Sequence, residues 1–321
     1  MIDFAWYTDL EPGVEAELRE MLAGAAREDE EAGFPRLSAE DPVEPGTRRL
    51  LVWLLPDERS GVDAPAVPSL AAYLRVEPPR DADGGAGELS YVVRPGYRSR
   101  GITTLLLEKM GLDPGGEDGP QRSGAPVLRV WARGDHPAAL RLSLRFRCLG
   151  IVPERREWRL LIPLREGRAI GTGAEPGGPG VREAPGAAGR TAAAALWAAS
   201  GRRHLPPSDA QVLISGSGEA PDGAVWIDPR PGERTDFGAA GRLVAVATRQ
   251  GREGREEDPL IRALLVAGLE RLRDAGLRAG AIAVDARNRP LVHEARSLGF
   301  THDRTDVRYT LRSPIAFTSE S

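Results

Sequence analysis

A single cysteine, Cys148, in a chain of 321 residues excludes an internal disulfide framework, because a bridge needs two partners. Histidine is almost as scarce. The four present are scattered and show no H-E-x-x-H or Cys/His cluster spacing, so no metal is expected. No apolar run approaches the ~18 residues that a membrane span requires. The stretch MIDFAWYTDLEPG lacks a positive segment followed by an apolar one, so neither export nor insertion is expected. Basic charge is not in excess either: 43 Lys and Arg stand against 47 Asp and Glu, a formal net charge of −4, with Lys109 the only lysine. That leaves no chain-wide basic footprint for nucleic acid. The expectation is a cytoplasmic protein that engages neither nucleic acid nor membrane, as a monomer or homodimer.

Glycine (38) and proline (27) are abundant instead, and 321 residues exceed the usual size of a single core, so two domains are expected. Period-two apolar runs predict strands over 48–56, 70–76, 88–93, 127–132 and 157–164. Helical spacing predicts helices over 15–27, from Ile102 to Met110, and over 137–146. Residues 166–190 combine Gly, Pro and Ala without periodicity, as in a flexible connector. This divides the chain into domains 1–165 and 191–321. Beyond the connector the order returns: strands over 212–215, 224–228 and 242–248, a helix over 260–275, a strand over 280–286, a short helix through Val292, and a closing strand over 306–312. One plan is used twice.

In the first half a strand ends at Pro95 and a helix begins near Gly101, so the free backbone N–H groups of the first helical turn fall in RSRGIT. Orphan donors and the helix dipole favour an anion there. Arg98 and Arg100 can add charge-assisted contacts, and Gly101 lets the backbone come close.

Arg98, Ser99, Arg100, Gly101, Ile102 and Thr103 resemble the Q/R-x-x-G-x-G/A pyrophosphate loop of the GNAT acetyltransferases, with Thr103 departing at the last position. VWARGDHPAALRLS with ERREWRLLIPL, and AIAVDARNRPLVHEARSLGFTHDRTDVRYTL, resemble the ends of the two domains of the mycothiol synthase family, which are tandem GNAT enzymes. The likeness covers about residues 85–164 and 240–312. It implies an α/β fold of two GNAT-like domains, each a mixed, mostly antiparallel sheet flanked by helices. It also implies an acyl-CoA, most simply acetyl-CoA, as co-substrate, a small-molecule amine as acceptor, and no metal. The strand backbone at Val92 and Val93 would pair with pantetheine.

In that family the C-terminal domain is catalytic, with a strand glutamate as base and a helix tyrosine as acid. Here the matching positions are Ala245 and Ala295, and neither can move a proton. The second loop falls on Glu256, Glu257, Asp258, Pro259, Leu260 and Ile261, or in another register on Gln250 and Gly254 with Glu253 where the family has glycine. Carboxylates repel a diphosphate by ~1 kcal/mol at 4 Å in water and by ~4 kcal/mol at a partly shielded site. The working cofactor site is therefore expected in the first half, with Glu88 as candidate base and Tyr91 as candidate acid.

Plainer readings stand beside these. Glu88 can be a solvated strand residue, Tyr91 and Trp131 can be core or cleft aromatics, and Cys148 a small buried apolar residue. In GDHP, His136 can cap the next helix or reach the acyl group, and Asp135 can also cap. Asp285 and Asn288 suit a turn and an N-cap, while His293 and Glu294, on a short helix, can contact a substrate but are expected at the surface. The rivals to an N-acetyltransferase are a catalytically inactive tandem protein that binds acyl-CoA or another ligand as a sensor or scaffold, and an acyltransferase using aminoacyl-tRNA. The acidic charge balance opposes the latter.

Overall fold

The computed structural model describes residues 1–31, 37–41, 43–56, 67–79, 85–112, 127–147, 150–165, 167, 170, 180–200, 206–217, 219–231, 234–249 and 258–312. The chain divides into two compact units. Unit 1 comprises residues 1–155 with 307–321, and unit 2 comprises residues 156–306.

The first part of the chain forms β1 (Ile2–Tyr7), α1 (Pro12–Glu31), β2 (Arg48–Leu54), β3 (Ser69–Glu77), β4 (Ala86–Val93), α2 (Ile102–Leu112), β5 (Val127–Ala132), α3 (Pro137–Arg145) and β6 (Ile151–Pro163). It continues with β7 (Val181–Glu183), α4 (Gly186–Ala199), β8 (Gln211–Gly216), β9 (Pro221–Asp228), β10 (Arg234–Thr235), β11 (Gly238–Thr248), α5 (Pro259–Asp274), β12 (Ala279–Asp285), α6 (Arg289–Ser297) and β13 (Thr301–Arg312).

In unit 1 the strands run β1-β2-β3-β4-β5, followed by the end of β13, and only β4–β5 is parallel. Alternation decides what each face meets. Leu50 and Val52 of β2 pack with Ile102 and Leu106 of α2, whereas Leu51 and Trp53 pack with Leu18, Met21 and Leu22 of α1. Unit 2 repeats the order as β7-β8-β9-β11-β12, followed by the end of β6, again with one parallel pair, β11–β12. Leu213, Val225, Ile227 and Leu243 meet Leu264, Leu265 and Leu269 of α5 on one face. Val212, Ile214, Trp226 and Ala245 meet Ala193, Leu196 and Trp197 of α4 on the other. Gly268 sets the distance of α5 from the sheet, since a Cβ there would stand 2.6 Å from Leu243 Cδ2. The expected mixed sheets flanked by helices are thus present twice.

The expected connector differs from what forms. Its C-terminal end carries β7 and the first turn of α4, while residues 166, 168–169 and 171–179 lie outside the described residues. The glycines that suggested a linker suit a tight helix start: a Cβ on Gly189 would stand 2.6 Å from Pro185 Cδ. The chain passes from unit 1 to unit 2 within β6 and returns within β13. No helix among the described residues is long and apolar enough to cross a membrane.

At the end of β9, the buried Asp228 carboxylate accepts from Arg230 Nε at 2.8 Å and Nη2 at 3.1 Å, from the Arg230 amide at 3.1 Å, and from Arg242 Nη2 at 2.7 Å. The Arg230 hydrogen bond, foremost, holds its pKa well below the usual carboxylate range, against the opposing effect of burial. A depressed folded-state pKa contributes stability that is present above the unfolded value of about 4 and is lost as pH falls below it. Urea midpoints should therefore fall more steeply between neutral pH and about pH 3 in the wild type than in Asp228→Asn, which starts less stable.

Candidate functional site

The parallel pairing of β4 with β5 covers Ala86–Leu89 against Val127–Val130 and stops there, although β4 continues to Val93 and β5 to Ala132. The two strands part and expose one backbone edge of β4. The Arg94 amide donates to Ala71 O across β3, so alternation turns the peptide groups of Val92 toward β3 and those of Tyr91 and Val93 toward the side that β5 has left. Of the two residues expected to pair with pantetheine, Val92 turns its peptide groups to its own sheet and only Val93 stands on the open side.

Past β4, Pro95–Tyr97 form a 3-10 turn, and Ser99 (φ 64°) and Gly101 (φ 78°) take left-handed conformations. Ser99 bears a strain of roughly 1–3 kcal/mol that only a fixed surrounding can hold. Leu105 N donates to Gly101 O at 2.9 Å, which makes Gly101 the cap of α2. Glycine offers no side chain to close the amides of Ile102, Thr103 and Thr104, and a Cβ placed there would meet nothing within 4 Å. Among the described residues no side chain caps the first turn of α2, which leaves a set of donors of the kind that binds phosphate.

The side chains around it are arranged differently from the sequence expectation. Arg98 turns from the loop to α1: its Nε donates to Val93 O at 3.1 Å, Nη2 lies 2.9 Å from Asp29 and Nη1 3.8 Å from Glu28. It fastens the loop instead of facing an anion. Arg100 is exposed, with its guanidinium 5.7 Å from the Tyr97 ring centroid. Ile102 belongs to the core. The Tyr91 hydroxyl lies 2.9 Å from Thr103 Oγ1, and burial pushes its pKa up to about 12. Tyr91 and Val93 pack on the α2 face of β4, Val92 on the α1 face. Glu88, an even number of residues from Val92, shares the α1 face, so Glu88 and Tyr91 point to opposite sides of the sheet.

Unit 2 repeats the parting strands: β11 and β12 pair over Ala240–Leu243 against Ala279–Ile282 and then separate. Its helix start is closed from within. Asp258, 5% exposed, caps α5, with Oδ1 accepting from Leu260 N at 2.9 Å and Ile261 N at 3.4 Å. Glu294, 3% exposed, accepts from Asp258 N at 2.9 Å and lies 3.4 Å from Arg262 Nη1. The expectation that Glu294 sits at the surface is overturned. The signal was its place in the apolar stripe of Leu291, Ala295 and Leu298, all of them buried. Ala245 and Ala295 are buried in the two cores of the unit, 6% and 0% exposed. Gln250, Glu253, Gly254, Glu256, Glu257 and Cys148 lie outside the described residues.

Other turns resolve structurally. His136, not Asp135, caps α3, its Nδ1 accepting from Ala138 N at 3.2 Å. Asp285 accepts from Arg287 N at 2.9 Å, and Asn288 caps α6 through Leu291 N at 3.4 Å. His293 is half-buried. Among the described residues no group of three or more His, Cys, Asp or Glu is placed to hold a metal.

Comparison with known proteins agrees with this architecture. A mycothiol acetyltransferase of Arthrobacter sp. (strain FB24) is 31% identical, with 92% of this chain and 93% of the relative covered. One from Saccharomonospora viridis is 29% identical over 96% and 99% of the two chains. Among solved structures, a GCN5-related N-acetyltransferase from Sphaerobacter thermophilus superposes with a TM-score of 0.58 at 21% identity, covering 96% of each chain. A tandem GNAT protein from the clavulanic acid biosynthesis pathway superposes with a TM-score of 0.57 at 16% identity, covering 97% of this chain and 98% of that one. No family model matches.

Removing the Asp258 cap reopens two amides that its carboxylate now closes. Asp258→Ala should lower the unfolding free energy by ~1 kcal/mol, within a range of ~0.5–2, as read from urea titration at neutral pH.

Proposed function

The chain belongs to the mycothiol acetyltransferase family, whose members are N-acetyltransferases, and from that premise we propose that it works from unit 1, transferring the acetyl group of acetyl-CoA to a small-molecule amine. The observation that carries this reading is the difference between two helix caps. Gly101 leaves the α2 amides open, whereas Asp258 and Glu294 occupy the corresponding place at α5 with carboxylates. A diphosphate meets free donors in one unit and fixed negative charge in the other. Each dipole or amide contribution is ~0.3–1 kcal/mol, so three amides together with Arg100 supply a useful share of cofactor affinity. Unit 2 does not fit the group.

In unit 1 the amides of Ile102, Thr103 and Thr104 would hold the pyrophosphate, and the Tyr91 peptide with the N–H of Val93, a residue whose carbonyl is taken by Arg98, would align the pantetheine arm. The co-substrate supplies an activated thioester. The acceptor nitrogen attacks its carbonyl carbon, the C–S bond breaks with its electron pair going to sulfur, and the new C–N bond completes an amide. The Val93 N–H stands on the edge where the carbonyl oxygen gains negative charge and would steady it. The proton lost by the amine passes through water to Glu88, which lies on the α1 face at the last stretch of β4–β5 pairing.

In this reading Tyr91 is not used as the acid: its hydroxyl lies on the face of β4 opposite Glu88, and burial raises its pKa to about 12. Its hydrogen bond to Thr103 instead ties β4 to the first turn of α2. Loss of that tie should loosen the loop without moving the pH profile of turnover.

Calorimetry with acetyl-CoA should find a single site per chain. Arg100→Glu should weaken it by about tenfold or more, and Asp258→Ala should leave it unchanged. Glu88→Gln should slow turnover by roughly 10²–10⁴-fold at unaltered acetyl-CoA affinity. Full turnover in Glu88→Gln would remove Glu88 from the mechanism, and an unweakened Arg100→Glu would remove the pyrophosphate from unit 1.

A further inference from the structure

The sheet face of unit 1 that carries Glu88 also carries charged side chains that the steps above leave unused. Strand registers place them in rows. Glu77, Glu88, Arg129 and Thr310 are successive cross-strand neighbours on β3, β4, β5 and β13. One step along, Arg75 neighbours Ser90, and Trp131 neighbours Arg308. The gap between Ser90 and Trp131 is where β4 and β5 part. Period-two alternation puts these residues on the α1 face, but the apolar cover of α1 meets Tyr73 and Val92 in the adjacent row.

The charges are mostly enclosed. The side chains of Arg129 and Arg308 are 14% and 13% exposed, and both lie against one carboxylate, Glu154. Arg308 Nε donates to Glu154 Oε2 at 2.9 Å. Arg129 Nε lies 3.3 Å from the same oxygen but out of hydrogen-bond alignment, and it is a buried donor without a hydrogen-bond acceptor among the described residues. A third guanidinium, Arg133, stands 4.9 Å from the Trp131 ring centroid, with Arg308 at 5.5 Å. Glu77 is committed to Arg75 at 3.0 Å. Arg133 and Arg308 thus stand over Trp131, Glu154 is shared by Arg129 and Arg308, and Arg129 is the cross-strand neighbour of Glu88. A largely buried guanidinium whose donors are incompletely matched is costly until an anion completes the set.

We propose that this face is the acceptor site and that it takes an amine carrying its own carboxylate, an amino acid or a related zwitterion. The carboxylate would rest on Arg129 beside Trp131, and the amine would stand toward Glu88 and the parting of β4 and β5. The inference rests on unit 1 being the acetylating unit.

The test compares L-amino acids with their carboxamides as acceptors, at matched concentrations of neutral amine, with acetyl-CoA as donor and free thiol as the readout. Acids should exceed amides by about tenfold or more in kcat/KM. Arg129→Gln should erase that preference through KM for the acid, leaving the KM for acetyl-CoA and the rates with amides unchanged, and Arg129→Lys should keep part of it. Equal use of acids and amides by the wild type, or turnover with neither while acetyl-CoA binds unit 1, would overturn the acceptor assignment alone. Failure of acetyl-CoA to bind unit 1 would instead overturn the reading on which it rests. If Arg129→Gln does not fold, the wild-type ratio and Arg129→Lys decide.

Discussion

Every helix start leaves backbone N–H groups that must find an acceptor, and the two units of this chain meet that demand differently. At α2 the cap is Gly101, whose left-handed backbone and missing side chain leave the donors for something from outside. At α5 the same demand is met by Asp258, and its own amide is met by Glu294 from α6. The second solution is self-sufficient and is fixed by burial. It also illustrates what closing such a helix start from within requires physically. Removing positive charge is not enough, since the donors remain; a buried carboxylate has to take the place of the anion, with a cation such as Arg262 near enough to compensate it.

The alternation of side chains along β4 imposes the next constraint. Residues an odd number apart cannot share a face, so Glu88 and Tyr91 are divided between the α1 and α2 sides and cannot act on one substrate atom. The same alternation, applied to peptide groups, selects Tyr91 and Val93 over Val92 as the backbone edge open to a ligand. Arg98 supplies a related lesson. A guanidinium in a phosphate-loop pattern reads as an anion contact, but Asp29 and Glu28 of α1 lie within its reach, and the charge is spent on fastening the loop.

Much of the fold was legible in the sequence because apolar periodicity is a local property. The strands of both units from β2 to β5 and from β8 to β12, apart from the two-residue β10, and the helices α1, α2, α3 and α5 stand close to where spacing placed them. The turn between β4 and α2 was legible too, since a strand, an Arg-Ser-Arg-Gly segment and a helix occur in order. What escaped depends on partners distant in sequence. Glu294 looked like a surface acid because the amide it serves lies 36 residues away. The start of α4 looked like linker because alanine and glycine carry no periodic signal until Leu196 and Trp197 show which side is covered. The Glu154 contacts with Arg129 and Arg308 join three strands, and nothing in any one of them announces the pairing.

The return of the chain through β13 has a consequence for how the protein is made. On a ribosome the first 155 residues emerge long before Val307–Arg312, so the edge of β5 waits with its peptide groups unpaired and its hydrophobic side without Val307 and Tyr309. Arg308, which meets Glu154 and stands over Trp131, comes with that same late segment. A product of interrupted translation would therefore contain the whole β4–α2 turn and still lack a finished sheet. The first half to be synthesised is in this sense the last to be completed, and the nascent chain holds an open strand edge for a chaperone to shield until synthesis ends.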